Sequence, residues 1–373
     1  VHNKQSDAPS VKIRNCYAMD FLDLDHVEFH VGDARQAAYV LSAGLGFRLL
    51  AQGGPETGLP GQRSLLLGQG GCRVLLTSGL EPGHPAARYV ARHGDGVAVL
   101  AFGVRDAAAA YAGAVSGGAL GLEPPRERGG VVTAVVSGFG DVVHRLVQRP
   151  GAGGGFLPGL VAVPGAPEPG PELVRAVDHA AVCVPDGQLD ATVAYYCEAF
   201  GFEVVFEEYI EVGRQGMFSR VVQSPSGGIT LTLIQPDGSR EPGQVDDFLA
   251  WHGGPGVQHL ALSCGDVAAA VDAMAGRGVG FAPTPDAYYD TLPVRPAERL
   301  RSRGILLDRD HWGELYQIFA TSLHVRRTFF WELIERHGAR TFGTANIPAL
   351  YAAKERELAA LRVPAARGGV VAK

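Results

Sequence analysis

The sequence predicts an α+β protein of two domains, each a curved, mostly antiparallel sheet wrapped around a cavity with helices outside. Three observations lead there. The chain has 373 residues, and single hydrophobic cores stop growing near roughly 250–300 residues. Its two halves repeat one another block by block. A Pro- and Gly-rich stretch separates them.

The repeat begins with LDLDHVEFHV (22–31), whose alternation is that of a half-buried strand, and DARQAAYVLSAGLGF (33–47), a helical stretch ending at a Gly turn. The second half opens in the same way. There VRAVDHAAVCV (174–184) reads as strand and LDATVAYYCEAFGF (189–202) as helix, which sets His26 against His179 at an offset of 153. Farther on, RHGDGVAVLAFGVRDAAAAYAGAV (92–115) aligns with WHGGPGVQHLALSCGDVAAAVDAM (251–274) at an offset of 160, so seven residues are inserted between the anchors. GFGDVVHRLVQ (138–148) is then matched to HWGELYQIF (311–319). Each half reads as strand, helix and several strands, twice over.

These blocks give the expected division: a flexible tail over 1–20, an N-terminal domain without metal over 21–150, a linker over 151–172 and a catalytic domain over 173–373. Near the end, NIPALYAAKERELAALRV (346–363) places Pro348 at a helix start and Leu350, Leu358 and Leu361 among charges, the pattern of an amphipathic helix.

Composition narrows the partners. With 46% hydrophobic and 19% charged residues the chain is an ordinary globular protein, and it has no apolar run of about 18 residues that would cross a membrane. A net charge of -6 with scattered Lys and Arg leaves no electrostatic footprint for nucleic acid, so a small molecule is the expected partner. Cys16, Cys72, Cys183, Cys197 and Cys264 are odd in number and far apart, which suggests neither a disulfide framework nor a zinc ribbon and fits a reducing cytoplasm. The opening VHNKQSDAPSVKIRN is polar and lacks the apolar core of a targeting segment.

The candidate chemistry lies in the second half. His179 falls on its first strand, His259 on a later strand (VQHLAL), and Glu332 in TFFWELIER (328–336), where Trp331 and Leu333 would make an unpaired carboxylate costly to bury. Two imidazoles and one carboxylate form the facial triad used by iron(II) oxygenases. The first half has Val99 where the second has His259, and no clear counterpart of Glu332, so His26 is expected to bind no metal. Other readings stay open from spacing alone. A strand histidine is ordinarily a hydrogen-bonded structural residue, alternation sends Gln258 and His259 to opposite faces, and Arg326, Arg327 and Arg336 could pair Glu332 on the surface.

VDHAAV, GQVDDFLAWHGGPGVQHLAL, PDAYYD, ELYQIF and TFFWELIERHGARTFGTANIPALY resemble the 4-hydroxyphenylpyruvate dioxygenase family and its sister, 4-hydroxymandelate synthase, over roughly residues 20–360. The resemblance implies the vicinal oxygen chelate fold, four βαβββ modules paired into open barrels, with Fe(II) in the C-terminal barrel on His179, His259 and Glu332. It implies a 2-oxo acid substrate, 4-hydroxyphenylpyruvate, and O2 as partners, and a C-terminal helix that closes the active-site mouth. Ser219, Gln244, Gln258, Gln317, Phe319 and Phe342 fall on substrate-binding positions; without the resemblance each reads as ordinary surface or core. The chain is further expected to form a homodimer or other homo-oligomer. A non-catalytic binding protein is the alternative of another class.

Two positions separate the sisters. The dioxygenases carry Pro-x-Asn on the strand GITLTLIQPD (228–237), where this chain has Thr232 and Ile234; they end in GNF, where this chain has ANI, with Asn346 kept and Ile347 in place of Phe, and the resemblance assigns all four residues to the substrate site. Both departures follow the synthases. The resemblance therefore implies benzylic hydroxylation to 4-hydroxymandelate, a precursor of the 4-hydroxyphenylglycine of peptide antibiotics, rather than ring hydroxylation to homogentisate.

Overall fold

The computed structural model describes residues 20–149, 155–164, 172–289, 292, 297–343 and 346. The first half runs β1 (Phe21–His30), α1 (Ala34–Val40), β2 (Arg48–Gly53), β3 (Gln62–Gln69), β4 (Cys72–Gly79), α2 (Pro85–His93), β5 (Gly96–Val104), α3 (Ala107–Ser116), β6 (Gly121–Arg128), β7 (Val131–Ser137) and β8 (Val143–Gln148), with a short β9 (Val161–Ala162) added at one edge. The second runs β10 (Ala176–Cys183), α4 (Leu189–Phe200), β11 (Glu203–Val212), β12 (Gln215–Gln223), β13 (Thr230–Pro236), α5 (Gln244–His252), β14 (Gly256–Ser263), α6 (Val267–Ala275), α7 (Asp286–Tyr289), α8 (Ala297–Arg301), β15 (Leu306–Arg309), β16 (Glu314–Phe319) and β17 (Phe330–His337). Four βαβββ modules result, two to a sheet.

Both sheets are assembled by the same rule. In each module the first strand pairs in parallel with the last, β1 with β4 and β10 with β13, and two modules join through their first strands, β1 with β5 and β10 with β14, antiparallel. The strand orders are β6-β7-β8-β5-β1-β4-β3-β2-β9 and β11-β12-β13-β10-β14-β17-β16-β15. Three of the module helices start on an aspartate whose side chain accepts backbone N–H groups of the first turn: Asp33, Asp106 and Asp266. Such caps contribute about 1 kcal/mol each.

Alternation along the central strands divides their side chains between two environments. Phe29 on β1 and Trp331 on β17, with Phe329 just ahead of it, enter the large core that joins the two halves, where Phe29 meets Phe329 and Trp331 at ring separations of 4.9 and 5.7 Å. The neighbours that alternate with them, among them Glu28 and Glu332, turn to the concave interior of their own sheets. The four described cysteines are free.

One alignment is corrected by the strand pairing. Residues 138–148 match β17, not 311–319: β8 lies parallel to β5 as β17 lies parallel to β14. The short apolar alternation of β8 fits β16 as well as β17, and only the choice of neighbour distinguishes them. A second correction follows. Arg145 pairs with Ala101 as Glu332 pairs with Ala261, so Glu332 does have a counterpart, and it is an arginine. Arg145 stands 3.1 Å from His26 Nε2 and 2.7 Å from buried Glu28. Burial opposes ionisation of Glu28, but Arg145 foremost, with His30, Thr77 and His26, brings its carboxyl down to about 2.

Removing one partner of such a pair strands a buried charge. Arg145→Met is expected to lower stability on the order of 3 kcal/mol at pH 7. Because the pKa of Glu28 is depressed on folding, its contribution is present above the ordinary carboxylate pKa of 4.5 and is lost as pH falls toward 2. Denaturant unfolding at pH 7 and pH 3 should show the deficit shrinking at the lower pH.

Candidate metal centre

Strand register gathers His179, His259 and Glu332. His179 pairs with Ala261, and Ala261 with Glu332, so two of the side chains stand in one row across β10, β14 and β17. His259 lies two residues before Ala261 and faces the same way. Simple alternation would send Gln258 to the other face, and this expectation is corrected by a bulge. Ala181 pairs with His259 but Val182 pairs with Val257, leaving Gln258 as an extra residue on β14. The bulge turns Gln258 into the same cavity as His259. A second bulge on β10 leaves Asp178 extra, with its Oδ1 2.9 Å from His179 Nδ1.

The three candidate ligands are buried, at 4%, 8% and 2% exposure for His179, His259 and Glu332. Glu332 Oε2 lies 3.5 Å from His179 Nε2 and 3.4 Å from His259 Nε2, and a ligand atom from each of the three falls within 4.8 Å of the others. Two metal–ligand bonds of about 2.1 Å bridge separations up to about 4.2 Å, a limit that both carboxylate–imidazole distances satisfy, as a shared first-row ion requires. Its electrostatics agree. Burial pushes the Glu332 carboxyl up to about 7, and burial together with the nearby His179 drives the His259 imidazole well below its usual range, leaving it neutral as a ligand must be. Arg336, considered as a partner of Glu332, instead holds Asp178 through both carboxylate oxygens, and Arg326 donates to the Arg92 carbonyl.

The triad opens onto a cavity of about 680 Å³ including its open mouth. It is lined by Ser219, Thr232, Ile234, Gln244, Gln258, Gln317, Phe319 and Phe342, all of which the sequence assigned to substrate. Two buried oxygens in it, Thr232 Oγ1 and Gln317 Oε1, have no hydrogen-bond partner. Native interiors rarely leave such atoms unpaired, so both suit a polar ligand. Gly343, at φ 81°, packs directly against the Gln317 amide, where a Cβ would come within 2.1 Å of its oxygen.

Asn346 is fully buried, its Oδ1 accepting the Tyr288 hydroxyl at 2.7 Å and its Nδ2 without a hydrogen-bond partner, and it is not among the residues that line this cavity. Ile347 and the amphipathic helix over 346–363 lie outside the described residues, Asn346 apart. Sequence reasoning missed Phe206, Glu208 and Ile210 on β11, Met217 on β12, Val245 on α5 and Phe330 on β17, which also line the cavity. The period of two in Phe206, Glu208 and Ile210 was the available signal, obscured because the outward residues of β11 are partly apolar too.

Comparison with known proteins places this geometry. Residues 176–295 match the glyoxalase/bleomycin resistance protein/dioxygenase superfamily, and residues 18–156 match the hydroxyphenylpyruvate dioxygenase N-terminal family. The 4-hydroxyphenylpyruvate dioxygenase of Aspergillus fumigatus is 30% identical, covering 95% of this chain and 96% of that protein. Those of Yarrowia lipolytica and Caenorhabditis elegans are 31% and 32% identical, each covering 90% of this chain and 92% of the relative. A solved mutant of 4-hydroxymandelate synthase from Streptomyces coelicolor superimposes with a TM-score of 0.85 and 43% identity, over 91% of this chain and 100% of that one. A xylose isomerase-like TIM barrel/4-hydroxyphenylpyruvate dioxygenase fusion protein, at 23% identity, a TM-score of 0.76 and coverage of 94% of this chain and 55% of that one, shares the fold. Four βαβββ modules in two sheets define a vicinal oxygen chelate protein. Within that class, the chain belongs to the 4-hydroxyphenylpyruvate dioxygenase family. No helix among the described residues is long and apolar enough to cross a membrane.

The position of Glu332 makes a prediction for the metal-free protein. A carboxyl whose pKa rises on folding from 4.5 to about 7 favours the native state below 4.5, and this advantage is lost as pH rises through 7. The loss is roughly 3 kcal/mol. Glu332→Gln should therefore flatten the fall in stability across this window, so that at pH 8 in chelator the variant unfolds at higher denaturant than the parent.

Proposed function

We propose that the chain is an iron(II)-dependent oxygenase converting 4-hydroxyphenylpyruvate and O2 to 4-hydroxymandelate and CO2. His179, His259 and Glu332 are its metal ligands and residues 173–373 its catalytic domain. Bound iron(II) supplies activation of O2 and oxidative decarboxylation of the 2-oxo acid. One oxygen atom ends in the new carboxylate and the other in the benzylic hydroxyl. A metal with two imidazole ligands and one carboxylate suits this chemistry because coordination positions remain for substrate and O2.

The observation that carries the choice of product is the setting of Ile234. Its side chain packs in an apolar cluster with Ile210, Met217 and Val245, on the cavity wall formed by β11, β12, β13 and α5. An amide at this position would hold a phenolic ring by a hydrogen bond, whereas this wall offers the ring only packing. Gln244, Gln258, Gln317, Ser219 and Thr232 supply the polar contacts, and Phe319, Phe330 and Phe342 exclude water. The ring carbon that leads to homogentisate and the benzylic carbon that leads to hydroxymandelate are about 1.5 Å apart, a carbon–carbon bond length. A small tilt of the ring thus selects between them. One hydrogen bond contributes about 0.5–1.5 kcal/mol, and about 1.4 kcal/mol between competing barriers is a tenfold product ratio. The 43% identity with the synthase structure, against 30–32% with the dioxygenases named above, supports the same reading. Its product would feed 4-hydroxyphenylglycine and peptide antibiotic synthesis.

Product analysis by mass spectrometry, after anaerobic iron loading and then air with 4-hydroxyphenylpyruvate, is expected to give 4-hydroxymandelate. Homogentisate as the main product would overturn the assignment to benzylic hydroxylation, and no turnover would leave a binding protein. Ile234→Asn should raise the homogentisate fraction about tenfold. His259→Ala and Glu332→Ala should each abolish O2 uptake while circular dichroism stays close to the parent; turnover in either would break the ligand assignment.

A further inference from the structure

Arg336 stands at the junction of three parts of the site. Its Nε and Nη2 donate to the two carboxylate oxygens of Asp178 at 2.7 and 2.9 Å, and Asp178 Oδ1 in turn faces His179 Nδ1 at 2.9 Å. Its Nη1 donates to the Thr341 carbonyl at 2.7 Å and the Ala339 carbonyl at 3.3 Å. Its guanidinium lies 5.1 Å from the centre of the Phe342 ring, and that ring meets the His179 imidazole edge to face at 5.3 Å. The same segment is held from its other side by Asp310, whose Oδ2 accepts the backbone N–H groups of Arg340 and Thr341.

This frame is built twice in the molecule. In the first half, Arg149 donates to both oxygens of Asp25 at 2.6 and 2.7 Å, Asp25 meets His26 Nδ1 at 2.6 Å, and the Arg149 guanidinium lies 4.3 Å from the Phe156 ring, which meets His26 at 5.2 Å. Asp25 is left extra by a bulge on β1, as Asp178 is on β10. What differs is the far side of the imidazole. His26 Nε2 faces Arg145, whereas His179 Nε2 faces Glu332. The frame is thus present both where the ligand set is complete and where an arginine takes the place of the carboxylate.

We propose that Asp178 and Arg336 are positioning residues that fix His179 as the Nδ1–H tautomer, Nε2 toward Glu332, and couple that orientation to the Phe342 wall of the substrate cavity. The inference rests on the metal-site reading above. A bidentate guanidinium–carboxylate pair suits this task, because a planar fork holds the carboxylate in one orientation and a lysine ammonium does not. The carboxylate in turn fixes the ring, and loss of such outer partners typically costs 10- to 100-fold in metal affinity.

The test is anaerobic titration of the full-length protein with cobalt(II), read by its visible absorption bands, for the parent, Arg336→Gln, Arg336→Lys, Asp178→Asn and Arg149→Gln. The parent should bind one equivalent. Arg336→Gln and Asp178→Asn should bind 10- to 100-fold more weakly with altered bands, and Arg336→Lys should recover only part of the loss. Arg149→Gln breaks the twin frame and so should lower thermal stability while leaving cobalt affinity and spectrum at parental values. At saturating iron(II), Arg336→Gln should raise KM for 4-hydroxyphenylpyruvate more than it lowers kcat, and an unchanged KM would overturn the coupling to Phe342. Parental cobalt binding in Arg336→Gln, or equal weakening in Arg149→Gln, would overturn the positioning role alone. A parent that binds no cobalt would overturn the metal site itself, and the inference with it.

Discussion

A carboxylate held away from water needs a positive partner, and both halves of this molecule are arranged around one. In the second half Glu332 is 2% exposed on the concave face of a sheet whose β14 and β10 present two histidines, and burial foremost, with the Asp178 carboxylate, raises its pKa toward neutrality. In the first half Glu28 is 4% exposed, and Arg145 reaches it from β8, across the intervening β5, to hold it ionised. The two solutions share a backbone and differ in which strand delivers which charge. An internal guanidinium closes the first barrel's polar interior with protein atoms. In the second, Glu332 faces two imidazoles, the set proposed to hold the metal.

The backbone device behind this is the bulge. A regular strand shows alternate residues to one face, which would separate His259 from Gln258 and His179 from Asp178. Bulges at Gln258 and Asp178 turn consecutive residues to the interior, so one strand delivers an imidazole together with the polar group beside it. The first half keeps equivalent bulges at Ala98 and Asp25, although its His259 position is Val99. The geometry of the site is therefore a property of the module pair, and the chemistry is set by a few side chains placed upon it.

In the proposed reaction, the apolar wall around Ile234 sets how the substrate ring lies above the triad. It combines residues from β11, β12, β13 and α5 that are scattered over some 35 positions of sequence. Phe342 also lines the cavity, its ring beside Phe206 of β11 and beneath the Arg336 guanidinium that holds Asp178. A chain of contacts thus runs from the Phe342 wall through Arg336 and Asp178 to His179.

The sequence by itself determined the repeat, the strand–helix–strand order of the modules and the three residue types of the triad, because periodicity and buried charge are local properties. It also carried Ser219, Thr232, Gln244 and Gln317 to the cavity through resemblance, though none of them was distinguishable from surface or core by pattern. Tertiary structure decided the rest. Only strand pairing could show that β8 answers to β17 and that Arg145 replaces Glu332, since apolar alternation does not name its neighbour. Only the bulges could bring Gln258 in beside His259, because an extra residue in a ladder is defined by the partner strand. Asn346, assigned to the substrate by resemblance, gives its Oδ1 to Tyr288, a contact between residues far apart in the chain that local pattern cannot encode.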